Sequence, residues 1–289
     1  MLNYIRYSRN ILGMNARNLS YIRPYNYKRA IRIADDKLLT KKILKNHVLV
    51  PKLIGKIASI ADIESFNWSK LPDSFVLKPN YGYGGEGILI VHARKKNKVD
   101  TWVRADKSLV TIDDLKSHII DILDGDYSLS NIPDIAFFEE RVHLHSNFKP
   151  YTYRGIPDIR IIVFNKVPVM AMLRIPTQGT KGKANLHLGG IGVGIDIATG
   201  TTTTAIMHNT VIDHLPGKKV VLSGIKIPFW KDILYSAVKA QTVSRVGFLG
   251  ADVAIDAEKG PVFLELNARP GLSIQLANMD GLLSRLKRV

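Results

Sequence analysis

The sequence predicts an α+β protein. Three observations carry that reading. Short runs of β-branched and aromatic residues recur in pairs joined by turn residues, as at residues 159–164 and 167–173 around Asn165-Lys166. Amphipathic stretches with capping residues lie between these pairs. A glycine-rich segment, residues 82–87, joins two strands rather than a strand and a helix. Strands therefore dominate locally and helices are interspersed.

The elements follow in order. Residues 1–36 form a basic, tyrosine-rich extension with a turn signal at Arg23-Pro24. A helix begins at Asp35-Asp36. Both are good N-terminal residues, Leu38, Leu39, Ile43 and Leu44 share one face, and Lys41, Lys42 and Lys45 stand where the helix dipole favours cations. Pro51 ends that segment. Residues 75–79 are a strand, running through Asn80-Tyr81-Gly82-Tyr83-Gly84-Gly85-Glu86-Gly87 into a second strand at 88–91. Thr111-Ile112-Asp113-Asp114 caps a helix reaching Leu123, and Gly125 stops it. Residues 135–140 are a strand, Gly189 to Gly194 lead into Ile195, and residues 231–244 are an amphipathic helix. Strands at 251–256 and 262–267 form the last hairpin. The domain division expected is residues 1–36 as extension, 37–145 as a first lobe and 146–289 as a second.

Composition bounds the function. A chain of 289 residues suggests two domains or one domain with two lobes. Hydrophobic residues at 46% and charged residues at 23% exclude a disordered chain. The lack of cysteine excludes thiol nucleophiles, disulfide scaffolds and thiolate metal sites. No apolar run reaches the ~18 residues of a membrane span. Residues 1–17, with Tyr4, Arg6 and Tyr7, hold no signal-peptide core, so a cytoplasmic location is expected. Net charge is +16, and residues 1–45 carry eleven Lys and Arg against Asp35 and Asp36 alone. That block points to an anionic partner: nucleotide, acidic peptide, nucleic acid or membrane surface. Nucleic acid is disfavoured, because no recognised motif is present and Tyr21, Tyr25 and Tyr27 read as packing or turn residues.

Three constellations carry chemistry. In the last hairpin Glu265 and Asn267 leave one face of their strand, with Phe263 on the same parity and Leu264 and Leu266 opposite. A turn centred between Glu258 and Lys259 sets Asp252 opposite Glu265. Asp252, Glu265 and Asn267 then form a hard-oxygen cluster of the kind that suits Mg²⁺, or alternatively a solvated polar face. Gly82, Gly84, Gly85 and Gly87 let backbone N–H groups approach phosphates, although neither a Walker nor a Rossmann pattern is present; a long hairpin turn is the alternative. Lys78, between Leu77 and Pro79, should face a polar cleft or an anion. Asp158 and Arg160 share a face, Arg174 ends the partner strand, and Lys181, Lys183, Asn185 and His187 follow. Converging cations of this kind would neutralise phosphoryl oxygens; surface ion pairs are the alternative.

In this order the pieces resemble the ATP-grasp superfamily, nearest to the α-L-glutamate ligase-like proteins related to the ribosomal-protein glutamate ligases. The matching residues are Asp36-Lys37, Val76-Leu77-Lys78-Pro79, the Gly82–Gly87 loop, Phe138-Glu139-Glu140-Arg141-Val142, Asp158-Ile159-Arg160, Arg174, Asn185 to Gly190, Gly250-Ala251-Asp252 and Phe263 to Gly271. The resemblance implies two α+β lobes gripping ATP. It places the adenine against the strand of Phe138 to Val142, with Glu139, Glu140 and Val142 around it. It puts Lys37, Lys78, Gly84, Gly85 and Gly87 at the phosphates and Asp158 on the ribose side. Arg160, Arg174, Lys183, Asn185 and Arg269 become the catalytic set. Asp252, Glu265 and Asn267 would hold two Mg²⁺ ions, with Mn²⁺ as the substitute. The implied activity is ATP-dependent carboxylate–amine ligation through an acyl phosphate, with the glycine loop as a lid. The substrates would be an amino acid, such as glutamate, and a peptide or protein tail. Only about 36 residues precede Lys37, fewer than a separate N-terminal α/β domain needs. The basic extension would then take over substrate binding, pair in a homo-oligomer, or leave the site open. The alternatives are a non-catalytic ATP-binding regulatory module and an ATP-grasp small-molecule kinase.

Overall fold

The computed structural model describes residues 9–289 except Asn97, Val99 and Lys181; Tyr4, Arg6, Tyr7 and Lys181, named above, lie outside the described residues. The architecture is α+β, and its described strands form sheets of four, seven and three. The chain divides into two compact units. One is residues 51–141. The other joins residues 142–289 to the N-terminal residues up to Val50.

Where the sequence suggests only turns, the N-terminal residues are helical. Met14–Ala16, a π-helical segment Arg17–Ile22 and Arg23–Tyr25 succeed one another. Pro24 is tolerated in the first turn of its segment, where a missing N–H costs little. Helices α1 (Lys28–Asp35) and α2 (Lys37–Leu44) follow. Asp36 caps α2 by accepting the Leu39 N–H at 2.8 Å, as its position in the sequence requires.

The 51–141 unit contains β1 (Leu53–Ile57), α3 (Ile60–Ser65), β2 (Phe75–Pro79), β3 (Leu89–Val91), β4 (Ala93–Arg94), β5 (Thr101–Val103), β6 (Leu109–Thr111), α4 (Ile112–Asp124) and β7 (Ala136–Glu139). Its main sheet runs β1-β7-β2-β3, all antiparallel. Leu115, Ile119 and Ile122 of α4 pack into one core with Phe75, Leu77 and Phe138 of that sheet. A reciprocal box of Thr111 and Asp114 opens α4, and Gly125 closes it at φ 92°.

The larger unit is built on β8 (Asp158–Phe164), β9 (Val167–Ile175), β10 (Ile191–Asp196), β11 (Thr201–Met207) and β12 (Thr210–Ile212). Helix α5 (Trp230–Ser244), β13 (Phe248–Asp256), β14 (Gly260–Asn267), α6 (Ile274–Asn278) and α7 (Leu282–Leu286) complete it. The strand order is β12-β11-β10-β9-β8-β13-β14. Period two sorts the side chains of β8. Ile159, Ile161 and Val163 enter a core shared with Ala237 and Ala240 of α5 and Leu44 of α2. Ile162 and Phe164 point the other way, against Leu12, Ile22, Ile274 and Leu282. Arg160 and Asp158 continue that second face, beyond this apolar cover.

The division differs from the expected one because α2 packs on α5 and β14, so the residues from Lys37 to Val50 belong to the larger unit. The basic extension is equally part of it. Tyr21 and Tyr25 meet Phe164 edge-on at centroid distances of 5.5 and 4.9 Å. The Arg17 guanidinium donates to the Pro270 carbonyl at 2.8 Å. Buried Asn26 donates to the carbonyls of Phe248 and Ala268 and accepts the Phe248 N–H, all at 2.7–2.9 Å.

The last hairpin reaches the expected pairing by an unexpected route. Asp252 does lie opposite Glu265, and Gly250 opposite Asn267. The turn, however, is centred on Glu258, with Asp256 opposite Gly260. Asp256 Oδ1 accepts the N–H groups of Glu258 and Lys259, and Gly260 takes φ 73°, which favours glycine. That centre alone would slip the register by one residue. A bulge at Leu264, which has no partner between Asp252/Glu265 and Val253/Phe263, restores it. The bulge also corrects the expected parity. Phe263 lies opposite to Glu265's face, in the core with Leu266, while Leu264 joins Val142, Ala254 and Val262.

Replacing Asn26 by Ala should strand the Phe248 N–H and two carbonyls inside the protein. The expected loss is about 2–4 kcal/mol of stability by urea denaturation, more than the few tenths an exposed Asn would give.

Candidate active site

The other end of the second sheet face carries a buried cluster of charges set by register. Asp158 pairs with Arg174 across β8 and β9, Arg160 with Asp252 across β8 and β13, and Asp252 with Glu265 across β13 and β14. Asp252, only 2% exposed, is the centre. Arg160 grips it with two bonds, Nε to Oδ1 at 2.8 Å and Nη2 to Oδ2 at 2.6 Å. Arg174 Nη2 donates to the same Oδ2 at 2.8 Å, and Asn267 Nδ2 at 3.1 Å. Arg174 Nε also donates to Asp158 Oδ1 at 2.5 Å. Lys37, the first residue of α2, reaches Glu265 at 3.8 Å.

Burial and pairing compete at each carboxylate, with different winners. At Asp252 burial pushes the carboxyl up, but Arg160 and Arg174 together hold it below the usual carboxylate range. At Asp158 burial wins: its carboxyl rises to about 6, against the pull of Arg174 and with the help of the Asp252 charge. The physical reason is that Arg174 is shared between the two. Burial of Arg174 disfavours its charge, yet its two carboxylates raise its pKa further.

Beside this cluster lies a cavity of about 40 Å³, lined by Arg160, Met172, Arg174, Asn185, Leu186, His187, Gly271 and Ser273. It has room for a water-sized group. Asn185 stands there as the cap of the tight turn Leu186–Leu188, its Oδ1 accepting the His187 N–H at 2.9 Å. Gly189 leaves that turn at φ 94°.

The smaller unit holds a second group of the expected residues. Lys78 on β2 and Glu139 on β7 form an ion pair, with Glu139 fully buried. The Glu140 N–H donates to the Lys52 carbonyl at 2.9 Å. Gly84, Gly85 and Gly87 all take left-handed backbone, at φ 64°, 77° and 68°. The turn they form exposes Tyr83.

Three expected site residues have partners outside the Asp252 cluster. Arg269 turns to Asp35, with bonds of 2.8 and 3.1 Å. Lys183 donates its N–H to the Thr180 carbonyl at 3.1 Å and does not line the cavity. Val142, two residues after Glu140, packs in an apolar cluster with Ala254 and Val262. The sequence reading missed Ser273, which lines the cavity, and Asp134, which accepts the Tyr81 N–H at 2.8 and 3.0 Å where the glycine loop begins. Neither has a spacing signal; Ser273 is placed by a turn and Asp134 by the irregular stretch before β7.

The donor chemistry at Asp252, Glu265 and Asn267 fits a hard divalent cation. Two carboxylates and a carboxamide face one another across paired strands, and Asn267 turns its nitrogen to Asp252, leaving its oxygen for another partner. No group of three or more Asp, Glu, His or Cys poised around one ion exists among the described residues. Asp252 is engaged by its arginines instead.

The chain belongs to the sugar-transfer associated ATP-grasp family, whose sequence profile matches residues 16–289. Among solved structures it is similar in fold to the D-cycloserine synthetase DcsG, with 12% identity, coverage of 89% of this chain and 69% of that one, and a TM-score of 0.51. It is also similar to D-alanine–D-alanine ligase from Bacillus anthracis complexed with ATP, at 14% identity, 90% and 68% coverage and TM-score 0.46. A third is the ATP-grasp ligase PsnB complexed with a minimal precursor, at 15% identity, 91% and 60% coverage and TM-score 0.46. The chain spans 53–60% of the length of the PsnB structures it matches. No curated protein matches it. Among the described residues no helix is long and apolar enough to cross a membrane.

Removing Arg174 should cost buried Asp158 its ion pair and buried Asp252 one of its four donor contacts. Arg174→Leu is expected to cost about 3–5 kcal/mol in urea denaturation. Adding Asp158→Asn should recover part of that loss, because one of the stranded charges disappears.

Proposed function

We propose that this protein is an ATP-dependent ligase that joins a carboxylate to an amine through an acyl phosphate. The observation that carries the reading is the in-register set Asp158, Arg160, Arg174, Asp252, Glu265 and Asn267 on one sheet face, in a chain of ATP-grasp family. Buried charges are costly to keep, and a sheet end that only needed to be covered could be apolar. Mg²⁺, held by Glu265 and Asn267 with Asp252, would supply charge neutralisation at transferring phosphoryl oxygens.

The roles of the chain's own residues follow from their chemistry. A carboxylate is a poor electrophile. Transfer of the γ-phosphoryl group to its oxygen gives an acyl phosphate and leaves ADP. The amine then attacks the carbonyl, the C–N bond forms, phosphate leaves and the amine proton goes to solvent. Both steps build negative charge on oxygen, which Arg160 and Arg174 stand ready to receive beside the small cavity. Lys37 would neutralise phosphate charge from the start of α2. In the smaller unit Lys78 would serve the phosphates and the strand of Glu139, with Glu140 after it, the adenine edge. The glycine loop would shield the acyl phosphate from water.

Two features narrow the substrates to test. The motif order resembles the ribosomal-protein glutamate ligases, so glutamate is the first amine. The family's description ties it to sugar transfer. Amino sugars are amines and uronic acids are carboxylates, so both belong in the trial.

The test is ADP release with Mg²⁺-ATP across pools of amino acids, short peptides, amino sugars and uronic acids. Release that needs both an acid and an amine is expected. It should fall at least 100-fold in Glu265→Ala, with the fold unchanged by circular dichroism. Release with an alcohol or acid alone would make the protein a kinase instead. Near-wild-type turnover in both Glu265→Ala and Asp252→Ala would overturn the site assignment.

A further inference from the structure

The glycine loop is not free at either end, and the group that holds its far end has no role in the reading above. At the near end, the Asn80 N–H donates to the Ile135 carbonyl at 2.9 Å, and buried Asp134 accepts the Tyr81 N–H. At the far end, His118 Nε2 lies 2.8 Å from the Gly87 carbonyl oxygen. A carbonyl only accepts, so Nε2 carries the hydrogen and donates it. His118 Nδ1 lies 3.4 Å from the hydroxyl of Tyr127, whose ring packs on Gly87. A Cβ on Gly87 would come within 2.6 Å of that ring, and Gly87 also has φ 68°. The Tyr127 carbonyl in turn accepts the Tyr83 N–H at 3.2 Å, and Gly82 bridges to Ser128.

His118 is firmly placed. It sits on α4 directly before buried Ile119 and three residues after buried Leu115. Its helix is capped at both ends. Tyr127 follows two residues after the Gly125 stop. The charged groups bearing on Tyr127 are Asp121, Asp126 and Glu86; burial first and these acids second raise its pKa, keeping the phenol neutral.

We propose that His118 is a positioning residue for the glycine loop: its Nε2–H on the Gly87 carbonyl, backed by Tyr127, pins the end of the loop so that only the tip from Tyr83 to Glu86 moves. The loop is then a short flap with two fixed ends rather than a long free hairpin. The tip is held together by the Glu86 N–H, which donates to the Tyr83 carbonyl at 3.1 Å. This inference rests on the ATP-ligase reading for its catalytic meaning, but not for its geometry.

The experiment compares the full-length protein with His118→Leu and His118→Gln. Gln places an amide donor near the position of Nε2, whereas Leu keeps bulk without a donor. Hydrogen exchange at the Tyr83 and Glu86 amides, measured without nucleotide, reads the loop directly. Exchange should speed up about 5- to 10-fold in His118→Leu, the factor expected from one hydrogen bond, and stay within twofold of wild type in His118→Gln. Chymotryptic cleavage after Tyr83 should follow the same order. The dissociation constant of Mg²⁺-ATP should rise by a similar factor in His118→Leu and recover in His118→Gln. Unchanged exchange in His118→Leu would overturn the proposal. Equal loosening in both variants would do so as well, because the donor would then not matter. If the wild type fails to bind Mg²⁺-ATP, the ligase reading fails, while the exchange and cleavage results still decide the role of His118.

Discussion

The larger unit depends on one buried carboxylate that cannot be left alone. Asp252 is almost sealed from water, and a lone charge there would cost several kcal/mol. Four donor contacts, from Arg160, Arg174 and Asn267, remove that penalty. Each donor comes from a different place in the sequence, so the pairing holds only if β8, β9, β13 and β14 keep their register. A slip of one residue in any of them would turn its charge into the opposite core. The network is thus a check on sheet alignment as well as a source of charge for chemistry.

The same sheet carries a charged cluster on a face that is apolar elsewhere. Period two sends alternate residues of β8 to two sides, and each side is covered by different helices. Helices α2 and α5 close one side along the strand. The N-terminal helical segment, α6 and α7 pack on the other, in a core with Ile162, Phe164 and Met172. The basic extension is therefore a structural cover of that side. Tyr21 and Tyr25 act as ring contacts and Asn26 as a backbone bridge.

Much of this was legible in the residues themselves. Asp36, the Thr111–Asp114 box, Gly125 and Asn165-Lys166 mark ends and turns by local chemistry, and local chemistry is what a sequence displays. The Asp252–Glu265 pairing was also within reach, though for an incomplete reason. The turn is three residues long and a bulge at Leu264 compensates, two opposite shifts that cancel at Glu265 but not at Phe263. Nothing at Leu264 announces a bulge. Strands β4, β5 and β6 escaped because two or three residues do not establish a period. The helices before α1 escaped because Pro24 and scattered bases mask an apolar face that only the far strands β8 and β13 complete. Arg269 carries the right charge in the right motif, yet Asp35 captures it. Competition of that kind is decided by tertiary proximity.

The larger unit is assembled from both ends of the chain, whereas residues 51–141 are contiguous. During synthesis the two therefore mature on different schedules. The contiguous unit has all its strands once β7 has emerged. The N-terminal helical segment must wait for β13, some 200 residues later, before Asn26 finds Phe248. At ribosomal speeds of about 5–20 residues per second, that interval lasts on the order of 10–40 s. For that time Ile22 and the tyrosines have no sheet to cover. The arginines and lysines around that segment favour the solubility of the waiting chain.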